Sequence, residues 1–90
     1  MENELSRRER QIMDIVYRHG EVSVAEVLDE LPEAPGYSAV RAMMRKLEEK
    51  GRLVHDVNGQ RYLYRATLAS VFASESAVQR LFRTLFDNSA

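Results

Sequence analysis

Apolar residues recur at helical spacing three times along this chain, give way to two-residue alternation, and then return to helical spacing. The first stripe is Ile12, Met13, Ile15 and Val16. Ahead of it, Ser6-Arg-Arg-Glu9 has capping-box spacing, in which a hydroxyl and a carboxylate each satisfy an orphan amide at a helix start. Gly20 supplies a left-handed stop, so a helix is predicted over about 6–19. Glu21-Val22 is a short extended link. Val24, Val27, Leu28 and Leu31 form the second stripe behind another capping box, Ser23-Val-Ala-Glu26. That helix ends at Pro32, and Glu33-Ala34-Pro35-Gly36 reads as a turn. The third stripe is Val40, Met43, Met44 and Leu47, with Ser38 as the expected N-cap and Gly51 as the stop.

A hairpin follows without a linker. Asn58-Gly59 is a strong two-residue type I′ signal, because both central positions need positive φ. That register sets Asp56 opposite Arg61 and His55 opposite Tyr62, with Tyr62 and Tyr64 on the face of Leu53, covering the core. The last element is predicted from about Ser70 to Phe86, with Val71, Val78, Leu81, Phe82, Leu85 and Phe86 as its apolar stripe. The expected fold is mainly α with a small β-hairpin. In order it has a helix, a short strand, two helices and the two hairpin strands, which is a winged helix-turn-helix, plus a C-terminal dimerisation helix. Residues 1–67 would form a DNA-binding domain and 68–90 the dimerisation helix.

Ninety residues allow one small domain, and 44% apolar content requires a core. Without cysteine there are no disulfides or thiolate sites in these residues. No apolar run is long enough to span a membrane, and the acidic N-terminus does not resemble a signal peptide, so a cytoplasmic location is expected. The net charge of −1 hides an asymmetry. Residues 1–36 hold four arginines against nine acids, whereas residues 37–65 hold seven basic residues against three acids. Positive charge is thus concentrated on the third helix and the hairpin, creating a local field whatever the total.

A major groove accepts a helix whose outward side chains are small or basic. The third helix offers Ser38, Ala39, Arg41, Ala42, Arg45 and Lys46. Arg41 and Arg45 stand one turn apart, and either could take guanine O6 and N7 together. Asn58, Gly59, Gln60 and Arg61 at the hairpin tip suit backbone contacts. Arg7 and Arg8 are secondary candidates for phosphate. Met43 and Met44 are core filler. His19 and His55 are isolated and form no metal set, no nucleophile-base pair is recognisable, and no cofactor is implied. The competing reading is a winged helix that binds protein rather than DNA.

The stretch Tyr37-Ser-Ala-Val-Arg-Ala-Met-Met-Arg-Lys-Leu-Glu-Glu-Lys-Gly51 closely resembles the recognition helix of the penicillinase and methicillin-resistance repressors, the BlaI/MecI/CopY family. Leu5-Ser-Arg-Arg-Glu-Arg-Gln-Ile-Met-Asp-Ile-Val, the wing ending Tyr62-Leu-Tyr64 and the tail from Leu81 look like the same family. The resemblance implies a bacterial homodimeric repressor on a palindromic double-stranded DNA operator, with Ser38, Ala39, Arg41 and Arg45 at the reading positions. Ala39 stands where the family commonly has threonine, removing one hydrogen bond to DNA. Family members usually continue past the position of Ala90 into further dimerisation helices, and the inducer-dependent cleavage site would lie there. The resemblance leaves the inducing signal, and any upstream sensor or protease, open.

Overall fold

The computed structural model describes residues 5–33, 35–73, 79 and 82–86. Helices α1 (Arg7–His19), α2 (Val24–Glu30) and α3 (Tyr37–Glu49) precede an antiparallel hairpin, β1 (Leu53–Asn58) and β2 (Arg61–Ala66), and a short helix α4 (Leu68–Ala73). Both capping boxes form. Ser6 Oγ accepts the Glu9 amide at 3.1 Å while Glu9 Oε1 accepts the Ser6 amide at 2.8 Å. The Ser23–Glu26 pair repeats this at 3.2 and 2.8 Å. At the end of α1, Gly20 donates to Val16 O and has φ 82°, the positive φ expected of a glycine stop, but its ψ of −52° lies outside the left-handed helical region.

The core lies where the three helical stripes converge. Ile12, Val16, Val27, Val40, Met44 and Leu47 are fully buried, and Met43 packs at the margin. Each such side chain contributes about 1.5–3 kcal/mol on burial. The hairpin closes the core with Leu53 and Tyr64. Its attachment to the helices is a one-residue bridge: Val22 donates to Tyr64 O at 2.9 Å and Tyr64 donates back to Val22 O at 2.7 Å. The predicted first strand is therefore only this bridge, and the sheet among the described residues has two strands.

Three further expectations need correction. Ser38 is not the N-cap of α3. That position is Gly36, which has no side chain to offer, and the helix begins at Tyr37 with Ser38 inside its first turn. The hairpin register is Asn58↔Arg61, Val57↔Tyr62, Asp56↔Leu63 and His55↔Tyr64, so the central turn residues are Gly59 and Gln60. Only Gly59 has positive φ, at 66°, which is the II′ requirement rather than I′. The change moves each partner by two positions, so the side chains keep their faces while their neighbours change. Asp56 consequently pairs with Arg65, not Arg61.

The last predicted helix begins two residues early, at Leu68. Thr67 Oγ1 accepts the Ser70 amide at 3.0 Å and donates to Gly51 O at 2.8 Å. Ser70 is buried, with its Oγ 2.6 Å from the Tyr17 hydroxyl. These bonds fasten the start of α4 to α1 and to the α3–β1 turn. Beyond Ala73, residues 79 and 82–86 are helical, while Val78 and Leu81 lie outside the described residues.

Candidate nucleic-acid interface

The amphipathic spacing of α3 decides what it shows to solvent. With Val40, Met44 and Leu47 turned inward, Ser38, Arg41, Ala42, Arg45 and Lys46 must face out, and all five are exposed. These same five line one side of a groove of about 820 Å³ between α3 and the hairpin. Its far wall is His55, Tyr62 and Tyr64. A second cleft of about 420 Å³ separates the first turn of α3 from the wing tip and the start of α2. Arg41 borders both clefts, with Gln60 and Arg61 reaching the second from the wing. Arg41 makes no ion pair with any described residue. Arg45 is 3.9 Å from Glu49 in an exposed pair, a separation that leaves it easily recruited elsewhere.

The sequence-predicted residues divide accordingly. The helix-three set meets Gln60 and Arg61 around Arg41. Asn58 and Gly59 are exposed at the tip but line neither cleft, and Ala39 is half-buried and lines neither. Arg61 lies 3.8 Å from Glu26, so the wing tip leans on α2. Arg8 is not a free phosphate ligand. Its guanidinium donates to Pro32 O at 2.5 Å and Glu33 O at 3.1 Å, closing the turn after α2.

Sequence reasoning missed three features. Tyr37 and Tyr62 present exposed phenols to the clefts, and only Tyr64 covers the core. Tyr64 is 3% exposed and Tyr62 46%, because Tyr62 lies nearer the wing tip, past the bridge to Val22. Burial, with the nearby Glu48 charge, pushes the Tyr64 hydroxyl up, so it stays neutral. Lys50, just past α3, donates to both Glu9 oxygens at 2.9 and 3.1 Å, fixing the end of α3 on the start of α1. Burial opposes the Glu9 charge, but the Ser6 amide and the Lys50 ammonium outweigh it and hold the carboxyl below its ordinary value. No spacing rule links positions so far apart. His55 Nδ1 lies 2.6 Å from Glu48 Oε2, which only the folded hairpin makes visible.

A basic, exposed helix standing beside a two-stranded ribbon, with both anchored to a three-helix core, defines a winged helix-turn-helix domain. The sequence model of the penicillinase repressor family matches residues 5–90, and the chain belongs to that family, whose members are transcriptional repressors and not enzymes. An uncharacterized 16.5 kDa protein in the ptsI 3′ region of Latilactobacillus sakei is 32% identical over 85 residues, 92% of this chain. The chain spans 58% of that relative's length. The solution structure of the DNA-binding domain of the repressor BlaI has a TM-score of 0.66 at 23% identity, covering 86% of this chain and 90% of that one. The monomeric form of Bacillus licheniformis BlaI in complex with the blaP half-operator has a TM-score of 0.61 at 24% identity, covering 82% and 87%. These likenesses establish the fold. Among the described residues no group of three or more His, Cys, Asp or Glu is placed to hold a metal, and no helix is long and apolar enough to cross a membrane.

Proposed function

We propose that this chain is a cytoplasmic, sequence-specific repressor that binds a palindromic operator as a homodimer, with α3 in the major groove and the wing on the flanking backbone. The observation that carries this is Arg41, exposed, without an ion pair among the described residues and shared by both clefts of the α3–wing surface. Arg41 and Arg45 are about 6 Å apart along the helix axis, so both can follow one groove. Ser38 and Ala42 are short enough to let the backbone approach. Gln60 and Arg61 suit phosphate contacts that position without specifying. The likeness to BlaI, solved with a half-operator, supports the DNA-binding part of this reading.

Dimerisation is supported by apolar surface beyond the core. Leu68 and Phe72 on α4, and Phe82, Leu85 and Phe86 further on, are all exposed, with the Phe82 and Phe86 rings 4.4 Å apart. Val71, also expected in the dimer stripe, is half-buried, unlike Phe82, Leu85 and Phe86. A second copy's matching stripe would remove this surface from water.

Selection of bound duplexes from a random double-stranded library tests the reading. An enriched palindrome is expected, with half-sites one helical turn, roughly 34 Å, or a multiple apart. Arg41→Ala and Arg45→Ala should weaken specific more than non-specific binding, while Arg61→Ala should lower the salt slope by about one. Lack of enrichment, or helix-three variants that bind like the unmodified chain, would favour a protein-binding winged helix instead.

A further inference from the structure

Glu48 is one of two acids, with Glu49, on a surface otherwise suited to phosphate. It lines the larger groove with Arg41, Arg45 and Lys46, in the last turn of α3. The hairpin supplies its counterpart: His55 Nδ1 approaches Glu48 Oε2 to 2.6 Å. The imidazole is held flat on Tyr62, with centroids 4.3 Å apart and planes 12° from parallel, and lies 5.4 Å from Tyr64. The His55 and Glu48 side chains are only 28% and 29% exposed, so water screens the pair incompletely.

The charges around His55 can be counted from the elements that pack on it. From α3 come Arg41, Arg45 and Lys46 against Glu48 and Glu49, and from β2 come only the phenols of Tyr62 and Tyr64. With a neutral imidazole the groove carries a net +1, and with an imidazolium +2. A neutral ring can keep the hydrogen bond to Glu48 but leaves its negative charge standing.

We propose that His55 is a positioning residue for DNA binding that acts through Glu48: as an imidazolium it cancels this carboxylate and clamps the base of the wing to the recognition helix. The proposal rests on the DNA-binding reading above. Phosphates in the groove favour the charged ring, so binding takes up a proton, and affinity falls as pH rises.

The test is a titration of labelled duplex, both library-selected and mixed-sequence, followed by fluorescence anisotropy at fixed ionic strength. For the unmodified chain, Kd should rise about fivefold between about pH 6 and pH 8. His55→Phe keeps a ring on Tyr62 but leaves Glu48 unanswered; it should bind about fivefold more weakly at the lower pH, with a flat profile. The double variant Glu48→Gln/His55→Phe should recover the lost affinity and remain flat, a rescue that a purely packing role for His55 would not give. His19→Gln should keep the normal profile, because His19 pairs with Glu30 and is absent from both clefts. A His55→Phe profile like that of the unmodified chain, or a double variant no better than the single one, would overturn the proposal. If the unmodified chain bound no duplex at either pH, the DNA-binding reading would fall and this proposal with it.

Discussion

Replacing Lys50 with methionine would strand a buried charge. Glu9 is only 4% exposed, and its carboxylate is held by the Lys50 ammonium at 2.9 and 3.1 Å and by the Ser6 amide at 2.8 Å. Methionine keeps most of the lysine stem's packing but removes the cation. Taking one partner from a buried ion pair costs about 3–5 kcal/mol. The Lys50 side chain is 17% exposed and the Ser6 bond survives, so the expected loss lies lower, about 2–3 kcal/mol. That is a large share of the roughly 5–13 kcal/mol that holds a domain of this size together, and corresponds to a Tm lower by about 10–20 °C. Urea unfolding followed by far-UV circular dichroism at neutral pH measures it. The double variant Glu9→Gln/Lys50→Met should regain at least half the loss, because glutamine can still accept the Ser6 amide and leaves no charge behind. The acid limb gives a second check. Glu9 in the folded chain sits below the ordinary carboxylate value of 4.5, so its stabilisation is present above that value and lost as pH falls through the folded pKa. The gap between Lys50→Met and the unmodified chain should therefore close in acid, where Glu9 is protonated in both. A single variant with the unmodified urea midpoint, or a double variant as unstable as the single, would refute the reasoning.

Ser23→Ala removes the hydroxyl that accepts the Glu26 amide at 3.2 Å and should cost about 1 kcal/mol in the same unfolding assay. Arg8→Ala frees the carbonyls of Pro32 and Glu33 and should lower stability by about 1 kcal/mol while leaving the salt slope of DNA binding unchanged, as titrations at several salt concentrations would show. Phe82→Asp places a charge in the exposed Phe82–Phe86 pair and should leave the chain monomeric at micromolar concentration by sedimentation, where the unmodified chain is expected to be a dimer.

Local features were legible to the extent that their causes are local. Ser6 and Ser23 mark helix starts because a capping box needs only four consecutive residues, and both form as their spacing predicts. Ser38 misled for the same reason. A serine can cap, but here the turn ends at Gly36 and the helix starts two residues earlier than a Ser38 cap would allow. The hairpin was found but its turn was placed one residue early, since Asn58-Gly59 and Gly59-Gln60 both put glycine at a position that needs positive φ. Among the site residues, the basic face of α3 followed from which side the core stripe left outside. Arg8 could not be separated from Arg41 by composition, because only the fold brings Pro32 and Glu33 to one of them.

The sequence alone determined the helical stripes, their caps, the existence of the hairpin and the concentration of positive charge on residues 37–65, because periodicity, capping and charge are properties of neighbouring residues. Tertiary structure decided that Val22 meets Tyr64, that Lys50 answers Glu9, that His55 answers Glu48, and that Arg41 makes no ion pair among the described residues. Those pairings depend on packing between separate elements, 41 residues apart for Lys50 and Glu9 and only seven for His55 and Glu48, where short-range forces act only after the fold has brought the elements together.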